Sequence, residues 1–244
     1  MPRRDPARPL VLAHRGASRR HRENTLEAFA GARAEGADGV ELDVHRSADG
    51  ALVVHHDAAV EGFGVLAEHP LERIRADVPH VPTLPEVLDV CSGLLVNIEI
   101  KNLPGDDDFD ADESVAALVV ELLQERGGAD DVLVSSFHLP TIDRVKALDP
   151  HLRTAYLTVL EPPPIAAADV AETRGHDAIH PFFGVLGEET AADVVLHAHA
   201  LGIDVNTWTV NAPEDVARLA AAGVDGVITD VPADALAALA AGAS

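Results

Sequence analysis

The sequence predicts an α/β protein of the (β/α)8 TIM-barrel class, and three observations carry that expectation. Short apolar, β-branched runs alternate with helical patterns along the chain, the rhythm of parallel strands joined by crossover helices. Several runs finish in ionisable side chains, as barrel strands do where they present chemistry at one rim. The 244 residues suit one barrel, and a composition 47% apolar but only 3% aromatic calls for a core of Ala, Val, Leu and Ile, the residues of layered barrel interiors.

The first strand is expected at residues 9–13 and the first helix at 24–36. Asn24 would cap that helix with Glu27 three positions on, Leu26, Phe29 and Ala30 would form its apolar stripe, and Gly36 would stop it. A second strand at 40–44 leads across Ser47-Ala48-Asp49-Gly50, whose Asp-Gly signals a tight turn, into an antiparallel extension at 51–56 that is not a barrel strand. Residues 62–80 read as a small irregular excursion over the strand ends, where substrate selectivity would reside. Strands at 94–101, 131–137, 153–158, 178–181, 203–210 and 226–229 then alternate with helices at 83–90, 113–126, 139–148, 165–174, 188–201, 213–222 and 232–241. No linker or repeat divides this series, so residues 1–244 are read as a single domain.

A formal charge of −23 argues against nucleic acid and against anionic membranes, which would both be repelled. Cys91 is the one cysteine, so no internal disulfide forms, and its apolar neighbours Val87 and Leu88 make it a small core residue. Residues 1–6 carry charges without the apolar segment of a leader, and no run reaches the length of a membrane span. A cytoplasmic protein without membrane insertion is the expectation, while oligomeric state is not legible.

The chemistry concentrates in alternating positions. Glu41 and Asp43 share one face of the second strand, with Val40, Leu42 and Val44 on the other; Asn97, Glu99 and Lys101 share a face of the third. Helix-covered strands keep ionised acids only when these are paired or bind metal, and three carboxylates on neighbouring strands call for a cation. All-oxygen ligation favours Mg²⁺ or Ca²⁺ over Zn²⁺, the competing possibility being that Glu41 or Glu99 simply pairs with Arg15 or Lys101. His14 and His56 close separate strands near this cluster, and two imidazoles can divide proton removal and proton delivery. His55, by alternation, points away as a packed histidine. Arg15 offers a bidentate fork for phosphate oxygens and Lys101 a point charge on the metal side. Trp208, the one tryptophan, alternates inward with Asn206 as core or as an apolar wall for an alcohol moiety. The acidic run 106–113 lacks calcium-loop spacing and reads as a solvated loop.

Taken in order, His14-Arg15-Gly16, Glu23-Asn24-Thr25-Leu26, Glu41-Leu42-Asp43, His56-Asp57, Asn97-Ile98-Glu99-Ile100-Lys101, Ser136-Phe137, Trp208-Thr209-Val210-Asn211 and Gly226-Val227-Ile228-Thr229-Asp230 resemble the glycerophosphodiester phosphodiesterases over nearly the whole chain. The resemblance implies Glu41, Asp43 and Glu99 as metal ligands, His14 and His56 as the acid/base pair, and Trp208 as a wall of the site. It implies cation-dependent hydrolysis of a small-molecule glycerophosphodiester, such as a deacylated phospholipid, to glycerol 3-phosphate and an alcohol. Arg20-His21-Arg22, and residues 58–64 after His56-Asp57, depart from the family pattern at the mouth and bear on substrate identity. Direct attack by water and attack by the glycerol's own hydroxyl through a cyclic phosphate both fit, as does either assignment of acid and base. The alternatives are a lysophospholipase D or cyclic-phosphate-forming lyase on the same scaffold, which an exposed apolar patch at Phe63, Val65 and Leu66 would favour, and an inactive glycerol-phosphate binding module.

Overall fold

The computed structural model describes residues 8–127 and 131–242. Strand β1 (Leu10–His14) leads through helix α1 (Leu26–Ala34) to β2 (Gly39–Arg46), against which β3 (Leu52–Val54) folds back antiparallel. A hairpin of β4 (Ala59–Val60) and β5 (Gly64–Val65), a short 3-10 turn, and helices α2 (Leu71–Asp77) and α3 (Leu84–Val90) precede β6 (Leu95–Ile100). From there α4 (Ser114–Arg126), β7 (Val132–Ser136), α5 (Leu139–Leu148), β8 (Arg153–Thr158) and α6 (Pro164–Arg174) alternate strictly. Strands β9 (Ala178–Pro181), β10 (Asp204–Thr207) and β11 (Gly226–Thr229), with α7 (Ala191–Ala200), α8 (Pro213–Ala222) and α9 (Pro232–Gly242), complete the series. The parallel sheet runs β1-β11-β10-β9-β8-β7-β6-β2, and β1 pairs with β2 to close it. The expected (β/α)8 barrel is the fold.

Alternation sorts the strand residues between two environments. Val40, Leu42 and Val44 of β2 pack outward with Phe29 and Ala32 of α1 and Leu84 and Val87 of α3. Leu12, Leu95 and Ile228 touch one another although β1 and β6 are not neighbours, so they meet across the barrel interior. Register then aligns the chemistry, with His14 beside Glu41, Glu41 beside Asn97, and Asp43 beside Glu99. Cys91 is buried in the core, as expected, and burial pushes its thiol up to about 12.

Three local expectations are corrected. Thr25, not Asn24, caps α1: its Oγ1 accepts from the Ala28 amide at 3.2 Å, while Asn24 adopts a left-handed φ of 55° and turns its side chain into the site. The excursion at 62–80 is ordered, with Val60, Leu66, Ile74, Val78 and Val81 forming a small core of their own beside Val53. Helix α2 escaped notice because its seven residues bury only Ile74, too little to print a periodic pattern. The acidic run is solvated only in part: Asp107 and Asp112 are exposed, but two of its acids are not. Asp108 is buried against His45 at 2.6 Å, and Glu113 accepts from Asn102 and Thr141 and pairs with His138.

Residues 1–6, weighed above for a leader, lie outside the described residues. Among the described residues no helix is long and apolar enough to cross a membrane.

Candidate active site

At the C-terminal rim a cavity of about 180 Å³ is lined by seven of the eight side chains singled out from the sequence: His14, Arg15, Glu41, His56, Glu99, Lys101 and Trp208. The eighth, Asp43, is buried beside it, and ligand atoms of Glu41, Asp43 and Glu99 all lie within 4.8 Å of one another. Grooves of about 440 and 450 Å³ occur elsewhere, and the first also carries acids, arginines and His80, but among the described residues the one group of acids close enough to share a metal ion is Glu41, Asp43 and Glu99 at the smaller cavity.

Each acid has a different environment. Glu41 is 3% exposed; its Oε2 accepts the Arg15 amide at 3.1 Å, and its Oε1 is buried with no hydrogen-bond partner. Burial first, then the charges of Asp43 and Glu99, hold its carboxyl well above the usual carboxylate range. Burial also pushes Asp43 up, but Lys101, Arg15 and His56, with an Asn24 hydrogen bond of 2.8 Å, outweigh it and keep Asp43 ionised. Glu99 is raised by burial, with Lys101 opposing at 3.0 Å. The unsatisfied Oε1 and an all-carboxylate donor set fit a hard divalent cation.

The cations are anchored by these same acids. Arg15 reaches Asp43 at 3.2 Å and Glu23 at 3.0 Å, and Lys101 bridges Glu99 at 3.0 Å and Asp43 at 3.6 Å. Pairing of the acids with Arg15 and Lys101 is therefore real, yet it leaves Glu41 Oε1 unsatisfied. Burial lowers the Lys101 ammonium, but Glu99 and Asp43 outweigh it and leave it raised.

The histidines differ from each other. His14 Nδ1 meets Asp230 Oδ1 at 2.7 Å. His56 Nδ1 meets the exposed Asp57 at 2.7 Å, and burial, aided by Lys101 and Arg15, lowers its imidazolium. His45 Nε2 contacts the His56 carbonyl at 3.2 Å, which ties the acidic loop through Asp108 to the catalytic rim. His55, half-buried, bonds the Asp57 carbonyl at 2.8 Å and stays out of the cavity. Trp208 donates Nε1–H to the His180 carbonyl at 2.8 Å and packs edge-on against Phe137 at 5.5 Å, so it is both anchored and a cavity wall.

Asn24, Asp57, Asn97, Phe137 and Asp230 also serve the site without having been singled out. All five stand inside the quoted motifs, so the signal was present. It is hydrogen bonding to a partner distant in sequence that gives Asn24 and Asp230 their place.

A barrel with acids, cations and two imidazoles converging on one small rim cavity defines an enzyme-like strand-end site, the layout of barrel hydrolases. Residues 14–234 match the Glycerophosphoryl diester phosphodiesterase family, and the chain belongs to that family. It is 35% identical to a glycerophosphodiester phosphodiesterase from Caldanaerobacter subterraneus subsp. tengcongensis over 91% of this chain and 94% of that protein. It is 32% identical to one from Bacillus altitudinis, with the same coverage. Among solved structures, a glycerophosphodiester phosphodiesterase from Thermotoga maritima superposes with a TM-score of 0.79 at 30% identity, covering 92% of this chain and 96% of that one. An Oleispira antarctica phosphodiesterase in complex with its product sn-glycerol-3-phosphate superposes with a TM-score of 0.83 at 27% identity, covering 96% and 97%.

Proposed function

We propose that this chain, as one domain over residues 1–244, is a cation-dependent phosphoric diester hydrolase that cleaves soluble glycerophosphodiesters to glycerol 3-phosphate and an alcohol. The observation that carries the reading is the trio Glu41, Asp43 and Glu99, each offering a ligand atom within 4.8 Å of the others and with Glu41 Oε1 buried and unpartnered, at a cavity also lined by His14 and His56. Glu41, Asp43 and Glu99 hold Mg²⁺ or Ca²⁺, which when bound supplies positive charge for the phosphoryl oxygens. Arg15 and Lys101 orient the phosphate and stabilise the charge that grows on it. One imidazole takes the proton from the attacking hydroxyl, of water or of the glycerol, as the new P–O bond forms. The other protonates the departing alkoxide as the old P–O bond breaks; where the glycerol hydroxyl attacked, water then opens the cyclic phosphate to glycerol 3-phosphate with the two imidazoles exchanging roles. Trp208 and Phe137 keep that end of the cavity apolar, a fit for carbon-bearing moieties.

Soluble diesters are favoured over lysophospholipids because Leu66 is fully buried, Val65 is half-buried and Phe63 packs against His69 at 4.5 Å, so these three positions form no exposed apolar patch. The exclusion of nucleic acid as a partner rests on the −23 charge.

The test measures glycerol 3-phosphate release from glycerophosphocholine and glycerophosphoethanolamine in Mg²⁺, Ca²⁺ or EDTA, with His14→Ala, His56→Ala and Glu41→Ala beside the wild type. Release that needs the cation and falls by at least ~10²-fold, to a residual rate, in all three variants is expected. No release from either diester by folded protein under any cation would overturn the assignment.

A further inference from the structure

We propose that Asp230 is the positioning residue of His14, an inference that rests on reading His14 as one of the two proton-transfer groups. Asp230 follows β11, whose pairing of Thr229 with Ala13 of β1 sets it beside the imidazole. Its Oδ1 faces His14 Nδ1 at 2.7 Å and accepts Ser18 Oγ–H at 3.2 Å, while its Oδ2 accepts from Asn211 Nδ2 at 2.7 Å. Asn211 in return accepts the Asp230 amide at 2.9 Å and the Thr229 hydroxyl at 3.1 Å. The carboxylate is thus fixed by the loop after β1 and the loop after β10, as well as by its own strand. Burial alone would raise it, but the bonds from His14 and Asn211 bring it down to about 2.

A carboxylate held ionised at 2.7 Å obliges Nδ1 to carry the proton, which leaves Nε2 as the nitrogen free to exchange one. Rotation of the ring about its side-chain bonds would break that contact, so the same bond selects the tautomer and fixes the direction of Nε2. When Nε2 takes up a proton, the imidazolium lies against an anion that needs no rearrangement. The contrast with His56 is what makes the arrangement specific. Its partner Asp57 is adjacent in the chain and 74% exposed, so water competes for it and its hold is weaker.

Steady-state kinetics with glycerophosphocholine at saturating cation, on the full chain, compare wild type, His14→Ala, Asp230→Asn, Asp230→Ala and the His14→Ala/Asp230→Ala double variant. Thermal melting and glycerol 3-phosphate titration serve as controls of fold and binding. Asp230→Asn and Asp230→Ala are expected to lower kcat by ~10²-fold with KM within about threefold of wild type, part of what a positioned acid/base contributes. The double variant should be no slower than His14→Ala within about twofold, because a residue that acts through His14 has nothing left to act on. Asp230→Asn keeps the size of the side chain, so a poorly folded Asp230→Ala protein would not remove the test. Wild-type kcat in folded Asp230→Asn, or an Asp230→Ala loss as large on the His14→Ala background as on wild type, would overturn the proposal. Full activity in His14→Ala would instead overturn the role of His14, and that of Asp230 with it.

Discussion

Replacing Glu41 with Gln is expected to make the cation-free protein more stable while abolishing its response to cations. Three carboxylates share a region in which their oxygens lie within 4.8 Å, and at an effective dielectric of about 20 a like-charge pair at that distance costs about 3.5 kcal/mol. Arg15 and Lys101 offset part of this, and the remainder falls on Glu41, whose carboxyl is raised by burial, Asp43 and Glu99 and so holds its proton to higher pH than a free carboxyl does. In the unfolded chain the same group ionises near 4.5. Over the pH range between the unfolded value and the raised folded-state one, folding therefore takes up a proton, at a cost that grows by up to about 1.4 kcal/mol per pH unit. The sign follows from the raised folded-state value. Wild-type stability in EDTA declines as pH rises from 4.5 through the folded-state pKa, and the Gln variant, with no proton to hold, loses this component.

At roughly 2–4 °C per kcal/mol for a domain of this size, the variant should melt measurably higher in EDTA, by an amount that grows as pH rises above 4.5. Added Mg²⁺ or Ca²⁺ narrows the gap and, at high enough concentration, reverses it. At a concentration about a hundred times its Kd the cation stabilises wild type by about 2.7 kcal/mol, whereas the neutral amide has lost the charge that recruits it. Calorimetric melts of both proteins in EDTA and in each cation provide the measurement. A lower melting temperature for the variant in EDTA, or an undiminished cation shift, would refute the reasoning.

The remaining predictions concern the barrel interior and its rim. His180 is fully buried, its Nε2 accepts from Asn206 at 2.9 Å, and burial, with a smaller effect of Arg153, pushes it down to about 3. Between pH 6.5 and 3 the unfolded chain binds the proton that the fold refuses, so stability should fall by up to ~1.4 kcal/mol per unit as pH drops. Urea midpoints against pH should show that slope reduced in His180→Gln, and an unchanged slope counts against it. Trp208→Ala removes a cavity wall and should raise KM for glycerophosphocholine about tenfold, equivalent to ~1.4 kcal/mol, with little change in kcat. A fall in kcat with unchanged KM would show that the indole serves the chemical step instead. Gly16 has a φ of +83°, and a Cβ there would lie 2.5 Å from the Ala28 carbonyl carbon. Gly16→Ala should therefore cost about 3 kcal/mol or more, read as a lowered urea midpoint, and an unmoved midpoint would mean the loop relaxes freely.

The barrel was legible because period-two alternation on strands such as Val40 to Val44 and Val96 to Ile100 is enforced by helices on one face and the interior on the other. The same alternation exposed Glu41, Asp43 and Glu99 as inward acids, and the strand ends exposed His14. What sequence could not display is the partner at long separation. Asp230 stands 216 positions from His14, and Asn24 stands 19 from Asp43, and neither contact leaves a local pattern. The acidic run misled for a related reason. Asp108 and Glu113 look like solvated loop residues until His45, 63 positions from Asp108, and His138 are placed beside them.

Charge explains how a protein with a net charge of −23 accommodates a phosphodiester. Glu41, Asp43 and Glu99 against Arg15 and Lys101 sum to −1 when all are ionised (−3 + 2). A proton on Glu41, which the upward shift of its carboxyl favours, would bring the cluster to zero. Exchange of that proton for a divalent cation takes it to +1, which a singly charged diester neutralises. The cavity is thus balanced either with a proton or with cation and substrate together, and the intermediate combinations carry the electrostatic cost. An acidic surface is compatible with such a site because screening limits its reach to about 8 Å at physiological salt, whereas charges inside a 180 Å³ cavity are screened far less.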